Sequence, residues 1–343
     1  SVRPTKHIAR HCASGTGRRC RPVLIRESGD LAFGFALSIR PNGRVWRAVT
    51  PKGIGCPSPH IAASVSLFIP GRKLEVLRAD AVSYGYSSQL VLREVDICIR
   101  TGGLVGILGP NGSGKTTLLK LLAGLLTPSA GRVVLDDLDL ARFDRRSLAR
   151  RLAVVPQETE LAFDYTVLEI VMMGRYPHLR PFELEGPADL EVARRMLAAT
   201  GTTHLEQRTY RTLSGGEKQR VVIASALAQF ETLTGPSTTA TRVLLLDEPT
   251  SSLDLSFQLA TSTLLTELNQ TNRTTIVVCT HDLNFAAGLC SDLVLLRDGA
   301  VVAAGPTDEV LTPKSISTVY GVIADVYRHA TTRHLTVVPL ARQ

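Results

Sequence analysis

A chain of 343 residues, 44% of them hydrophobic and 20% charged, has ordinary globular composition and about two domains' worth of core. The net charge of +8 would suggest a nucleic-acid or membrane-surface partner if it were spread evenly, but Ser1 to Gly71 alone carries eleven Lys and Arg against Glu27 and Asp30, leaving −1 for the rest. The main body therefore gives no electrostatic support for nucleic-acid binding. No apolar run approaches the ~18 residues of a membrane span, and neither Leu31 to Ile39 nor Ile61 to Ile69 sits in the frame of a signal peptide. If this protein works at a membrane, other chains are expected to cross it.

Residues 1–72 read as a basic extension, with Pro4, Pro22, Pro41, Pro51, Pro57, Pro59 and Pro70 among its arginines and no sustained periodicity. The expectation is a disordered or extraneous leader; a tail drawn to anionic lipid or nucleic acid is the alternative. Within it, His7, His11, Cys12 and Cys20 match no standard zinc spacing. With Cys56, Cys98, Cys279 and Cys290 they make no Cys-x-x-Cys pair, so free thiols in a reducing cytosol are expected.

From Lys73 the pattern changes to strands: Leu74 to Ala79, Leu90 to Leu92, Val95 to Ile99 and Leu104 to Leu108. Tyr84 reads as a packed strand residue, whereas Tyr86 is positioned for its ring to stack on a nucleotide base. The last strand runs into Gly109, Pro110, Asn111, Gly112, Ser113, Gly114, Lys115, Thr116 and Thr117, and then into a leucine-rich helical run. A strand, a glycine-rich turn and a helix in this order form a phosphate-binding loop, whose amides surround an anion at a helix N-terminus. Lys115 would reach the β- and γ-phosphates of a nucleotide, and the Thr116 hydroxyl would ligate Mg²⁺. Leu118, Leu121, Leu122, Leu125 and Leu126 follow helical spacing, with closure at Gly124 and Thr127-Pro128-Ser129.

Gly131 to Leu135 returns as a strand, and Val154-Val155-Pro156-Gln157 reads as a short strand ending in an amide that could meet Mg²⁺ or its water. Residues 158–228 have the pattern of a helical insertion, notably at Val167 to Met173 and Asp189 to Ala199. Near its end, Ser214 and Glu217 have capping-box spacing across Ser214, Gly215 and Gly216, which predicts a second glycine-bearing helix N-terminus suited to phosphate. Val243 to Leu246 then reads as a central parallel strand ending in Asp247 and Glu248. In a chain with a phosphate loop, Asp247 would hold Mg²⁺ and Glu248 would polarise the attacking water. Ser252-Leu253-Asp254 follows in a turn, and His281 lies just past the buried strand Thr275 to Cys279. Two hairpins are expected across residues 292–340.

The phosphate loop, Gln157, the octet Leu213 to Arg220, Asp247-Glu248 and His281, in this order, resemble the ATPase subunits of the ATP-binding cassette family over residues 73–340. The resemblance implies an α/β fold: a phosphate-loop core with a mainly parallel sheet, an N-terminal antiparallel β subdomain and an inserted helical subdomain. It implies a homodimer closing head-to-tail on two ATP molecules, each between one chain's Gly109 to Thr117 and the partner copy's Ser214, Gly215 and Gly216. Asp254 would signal across that dimer, Gln157 would sense nucleotide and meet a transmembrane permease, and His281 would touch the γ-phosphate. Tyr165 to Val171, Gly174 to His178 and Val319-Tyr-Gly-Val322 are similar to importers of iron-siderophore, haem and cobalamin complexes, and so is the ending Leu335 to Pro339. The Thr/Gly/Pro-rich stretch between Gln229 and Arg242 is similar in position to one in haem-importer ATPases.

The function so implied is an ATPase at the cytoplasmic face of the cell membrane, peripheral to a permease and a substrate-binding protein. A soluble non-transport cassette is the rival, as is a cassette for another cargo. Translation-type relatives carry two cassettes where this chain has one, and repair-type relatives place a long coiled coil where Lys115 to Ser214 has no sustained heptads. The octet and the Asp-Glu pair argue against a phosphate-loop kinase.

Overall fold

The computed structural model describes residues 75–87, 89–159, 161–232, 241–251 and 254–342. The basic extension, the Lys73-Leu74 start, Ser252-Leu253 and most of the Thr/Gly/Pro-rich stretch lie outside these residues.

Strand β1 (Glu75–Tyr86) pairs antiparallel with β2 (Gln89–Arg100). The two short runs expected around Leu90 and Val95 are one strand. Its irregularity is absorbed in the ladder, where Glu94 adopts a φ of 44° and its N–H donates to the Ser83 hydroxyl at 2.9 Å. The phosphate-loop strand β3 (Leu104–Leu108) leads to α1 (Lys115–Leu122), and β4 (Ala130–Leu135) with β5 (Leu138–Asp139) completes a sheet of order β2-β1-β4-β5.

Helix α1 is shorter than the leucine spacing predicts. Gly124 takes a φ of 68°, and Leu125, although in phase with the stripe, is 64% exposed. The left-handed glycine ends the helix and leaves Leu125 outside the core, while Leu126 packs partly against it.

Helix α2 (Arg145–Ala149) precedes β6 (Leu152–Val155). The helical group follows as α3 (Val167–Met173), α4 (Pro187–Ala199) and α5 (Gly215–Ala228). Then come β7 (Val243–Asp247), α6 (Leu255–Asn272), β8 (Thr275–Thr280), α7 (Leu283–Leu289), β9 (Asp292–Arg297) and β10 (Ala300–Pro306). The chain ends through α8 (Thr307–Val310), α9 (Pro313–Tyr320), β11 (Val322–Arg328) and β12 (Leu335–Arg342). β9 with β10 and β11 with β12 form the two expected hairpins.

The second sheet has the order β10-β9-β3-β8-β7-β6, parallel throughout except for β10. β3, β7 and β8 are buried at every residue, as their unbroken apolar runs require when both faces are covered. Alternate side chains serve opposite layers: Leu104 and Leu108 pack with α5, α6 and α7, while Val105 and Ile107 pack with α1 and the antiparallel sheet. Helix α5 is shared, giving Ile223 and Leu227 to the sheet core and Val221, Ala224 and Ala228 to the α3-α4 cluster. This double burial fixes its N-terminus. Among the described residues no helix is long and apolar enough to cross a membrane.

Candidate functional site

Parallel strands put their C-terminal ends along one edge, and ligands of open α/β sheets bind there. Gly109 to Thr117 follow β3, Gln157 follows β6, Asp247 and Glu248 end β7, and His281 follows β8. The topology alone therefore gathers these residues.

The loop after β3 is tightly wrapped. A Cβ on Gly109 would lie 2.3 Å from the Leu296 carbonyl oxygen, and Gly114 caps α1 with a φ of 100°, so neither position accepts a side chain without strain. Lys115, only 6% exposed, folds back so that Nζ donates to the carbonyls of Gly109 at 2.9 Å and Pro110 at 3.2 Å. The Ser113 N–H also donates to Pro110. Its hydroxyl is buried with no hydrogen-bond partner among the described residues, a polar group whose burial is costly unless something else satisfies it. Gly112 has a φ of 80°, and Pro110, Asn111 and Gly112 form the turn ahead of α1.

Below the loop, the Thr116 hydroxyl donates to Asp247 Oδ1 at 3.2 Å. Burial pushes the Asp247 carboxyl above its ordinary range; the Thr116 bond opposes this and the neighbouring Glu248 charge adds to it. Hydroxyl and carboxylate oxygens at this spacing are hard donors of the kind Mg²⁺ accepts alongside phosphate oxygens and water. Thr117 is buried on the inward side of α1, and Cys279 approaches the Lys115 carbonyl at 3.7 Å. Burial first, and then the charge of Asp247, push that thiol far up and keep it protonated.

Glu248 has a φ of 46°, strained for a non-glycine residue. The turn is held by its own N–H donating to the Cys279 carbonyl at 2.8 Å, and by Ser251 donating to the Glu248 carbonyl through both N–H and hydroxyl. This sends the carboxylate sideways along the edge. Oε2 accepts from Gln157 Nε2 at 3.4 Å and lies 3.2 Å from His281 Nδ1. Three residues predicted separately from the ends of three strands thus meet on a single oxygen.

The second helix N-terminus forms as its capping box requires. The Ser214 N–H donates to Glu217 Oε2 at 2.8 Å, and the Ser214 hydroxyl accepts from the Glu217 N–H at 3.4 Å. The Ser214 amide holds the Glu217 carboxyl below its usual value. Gly216 lies against the Phe257 ring. Asp254 caps α6 by accepting from Phe257 N–H at 3.0 Å, the main cause of its lowered pKa. A cleft of about 300 Å³ runs from Gln157 and Glu248 to Gly215 and Lys218. Tyr86 is 47% exposed at the end of β1 and meets Tyr84 edge-on at 5.0 Å, while Tyr84 packs against the core.

Sequence reasoning missed Tyr320. The end of α9 brings its hydroxyl beside the Gly109 amide, a contact between distant segments that no local pattern announces.

A parallel sheet with a glycine-rich strand-to-helix loop, a threonine hydroxyl bonded to a buried aspartate and a carboxylate at the same edge defines a phosphate-loop nucleoside triphosphatase. The ABC transporter family model matches residues 92–251. The hemin import ATP-binding protein HmuV of Bordetella pertussis is 45% identical over 241 residues, covering 70% of this chain and 90% of that protein. The ferric enterobactin transport ATP-binding protein FepC of Escherichia coli is 38% identical over 266 residues, covering 78% and 94%. An inward-facing structure described as a metal-chelate type ABC transporter superposes with a TM-score of 0.66 at 29% identity, over 78% of this chain and 97% of that one. The chain belongs to the ABC transporter family, as an ATP-binding subunit.

Proposed function

We propose that this chain hydrolyses Mg·ATP as a head-to-tail homodimer to drive import of a metal chelate, such as haem, an iron-siderophore or cobalamin, through a separate permease. The observation that carries the catalytic part is the convergence of Gln157, Glu248 and His281 beside the Thr116–Asp247 pair. The import reading rests on the relatives and their named cargoes.

In this reading the loop amides, Ser113 and Lys115 would hold the phosphates, and Thr116, Asp247 and Gln157 would hold Mg²⁺. The ion would supply charge neutralisation at the phosphates. Glu248 takes the proton of the water attacking the terminal phosphorus as the bridging oxygen leaves with ADP, and His281 orients that carboxylate and the γ-phosphate. Tyr86 stacks on the base. Ser214, Gly215, Gly216 and Asp254 act on the ATP of the other copy. Residues 73–340 carry the ATPase, residues 1–72 are dispensable to it, and no nucleic acid takes part. The assembly sits at the cytoplasmic face of the membrane with a permease and a substrate-binding protein.

The test is reconstitution of the chain with its permease in liposomes loaded with ATP. Uptake of haem or a ferric chelate that stops with the Glu248→Gln chain supports the reading. ATP hydrolysis without permease association or chelate uptake would sink it.

A further inference from the structure

Helix α5 ends against a polar junction built on Gly174 to His178. The last carbonyls of a helix have no partner inside it, and here side chains from another segment supply the donors. One Arg175 amino nitrogen donates to the carbonyls of Ala228 and Glu231, both at 2.6 Å, and His178 Nε2 donates to the Gln229 carbonyl at 2.8 Å. A cation at this end also suits the helix dipole. Arg175 is fully buried, and its Nε donates at 2.9 Å to Oδ1 of Asp189 in the first turn of α4. The other oxygen of that carboxylate accepts from the Gly186 N–H at 3.1 Å, so the partner of the guanidinium is itself held in place.

The junction reaches the sheet core as well. Arg150, which ends α2, donates through two nitrogens to the Pro177 carbonyl at 2.9 and 2.8 Å. Glu231 forms a buried ion pair at 3.1 Å with Arg242, immediately before β7. Gly174 is pressed so closely onto α5 that a Cβ there would lie 2.1 Å from the Ser225 carbonyl oxygen. Only a glycine lets the two backbones meet in this way.

The opposite end of α5 is held differently. Ser214 and Gly215 are exposed, and among the described residues the Ser214 side chain bonds within its own capping box. The layers flanking the helix are apolar, and apolar contact is non-directional, so it opposes sideways motion better than sliding along the axis. The hydrogen bonds at the C-terminal end are directional and oppose sliding. With 14 residues the helix is a rod about 21 Å long, and an anchor at one end sets where the other end stands.

We propose that Arg175, supported by His178, is a positioning residue for ATP hydrolysis: its bonds to the carbonyls at the end of α5 hold Ser214, Gly215 and Gly216 where the ATP of a second copy meets them. The inference rests on the reading that this helix N-terminus acts on the other copy's nucleotide. Arg175 itself touches no substrate.

The test uses the full-length chain and separates nucleotide binding by the loop from assembly of the dimer. Arg175→Met with Asp189→Leu removes the bonds to the carbonyls without leaving a buried charge unpaired, and His178→Phe removes the donor to Gln229. ADP affinity by titration calorimetry and thermal melting read the loop and the fold. Positioning is read by kcat and by ATP-driven dimer formation, the latter by sedimentation with Glu248→Gln added to each chain. ADP affinity should stay within about twofold of wild type, as expected for a distant site. In the double variant the ATP concentration for half-assembly should rise at least about 10-fold and kcat should fall about 10- to 100-fold, the usual cost of a misplacement of about 1 Å. His178→Phe should show a smaller loss of the same kind, and His178→Gln, which offers the carbonyl a donor again, should restore it. Wild-type assembly and kcat in the double variant and in His178→Phe, or a fall in ADP affinity that matches the fall in kcat, overturns this proposal alone. If the double variant melts too early to assay, the His178 pair decides, and equal kcat in His178→Phe and His178→Gln overturns the proposal. A Glu248→Gln parent that stays monomeric with ATP overturns the reading of a second copy and this inference with it.

Discussion

His281 Nδ1 lies 3.2 Å from Glu248 Oε2, across the gap between the ends of two neighbouring parallel strands, and Gln157 reaches the same oxygen from a third. A carboxylate that accepts from Gln157 and lies beside the His281 ring, on a residue with a left-handed backbone, is aimed by its surroundings rather than by its own preference. Glu248→Gln keeps the shape and removes the base. Hydrolysis should fall by at least about 100-fold, the usual worth of a positioned general base. ATP affinity should be retained, and a dimer should persist with ATP on size-exclusion chromatography. Phosphate release at the wild-type rate would show that Glu248 is not the base.

The legible parts of the chain were those whose local pattern and long-range role coincide. Leu104 to Leu108, Val243 to Leu246 and Thr275 to Cys279 are apolar without alternation because both faces of their sheet are covered, and that is visible in a single strand. The Ser214–Glu217 cap is a local four-residue device and formed as read. Leu125 shows the opposite case: its spacing belongs to the helix, but the φ of Gly124 removes it. The meeting of Gln157, Glu248 and His281 follows from strand order, which no window of sequence contains. The same is true of Tyr320 against Gly109.

Lys115 illustrates a group whose present partners are not those proposed for its work. It donates to two backbone carbonyls and is almost fully buried. Lys115→Ala removes the ammonium that would face the phosphates, a charge-assisted interaction of about 1.5–3 kcal/mol. ATP affinity should drop roughly 10- to 100-fold by titration calorimetry. Equal affinity in variant and wild type would remove Gly109 to Thr117 as the nucleotide site.

Removal of Ser1 to Gly71 should leave ATP hydrolysis and the unfolding transition of the remaining chain unchanged, because the proposed ATPase begins at Lys73. The check is a side-by-side comparison of phosphate release and thermal melting. Loss of either would assign the basic extension a part in the fold or the site.

Arg175 ties the helical group together from inside. It is fully buried, with Nε on Asp189 Oδ1 at 2.9 Å and one amino nitrogen shared between the carbonyls of Ala228 and Glu231. Arg175→Ala leaves Asp189 buried without its counter-charge, which should cost about 3–5 kcal/mol in denaturant unfolding. The pair Arg175→Met with Asp189→Leu should recover much of that loss, since no buried charge remains. A double variant as unstable as the single one would mean that the carbonyl bonds, not the ion pair, hold this junction.

His178 gives the helical group a pH response whose sign can be worked out. Its Nε2 donates to the Gln229 carbonyl at 2.8 Å. Burial, aided by the nearby charges of Arg175 and Arg150, pulls its pKa below the ordinary histidine value. As pH falls below about 6.5, the unfolded chain takes up a proton that the folded chain still refuses, so the unfolded state is favoured. Stability is therefore full above that value and declines as pH drops toward the folded pKa. His178→Gln offers a donor to the same carbonyl without a titrating group, so its stability should fall less steeply between pH 7 and pH 5. Denaturant midpoints measured across that interval for both proteins decide it: parallel curves would show that His178 does not set the slope, and a shallower curve for the variant would assign it.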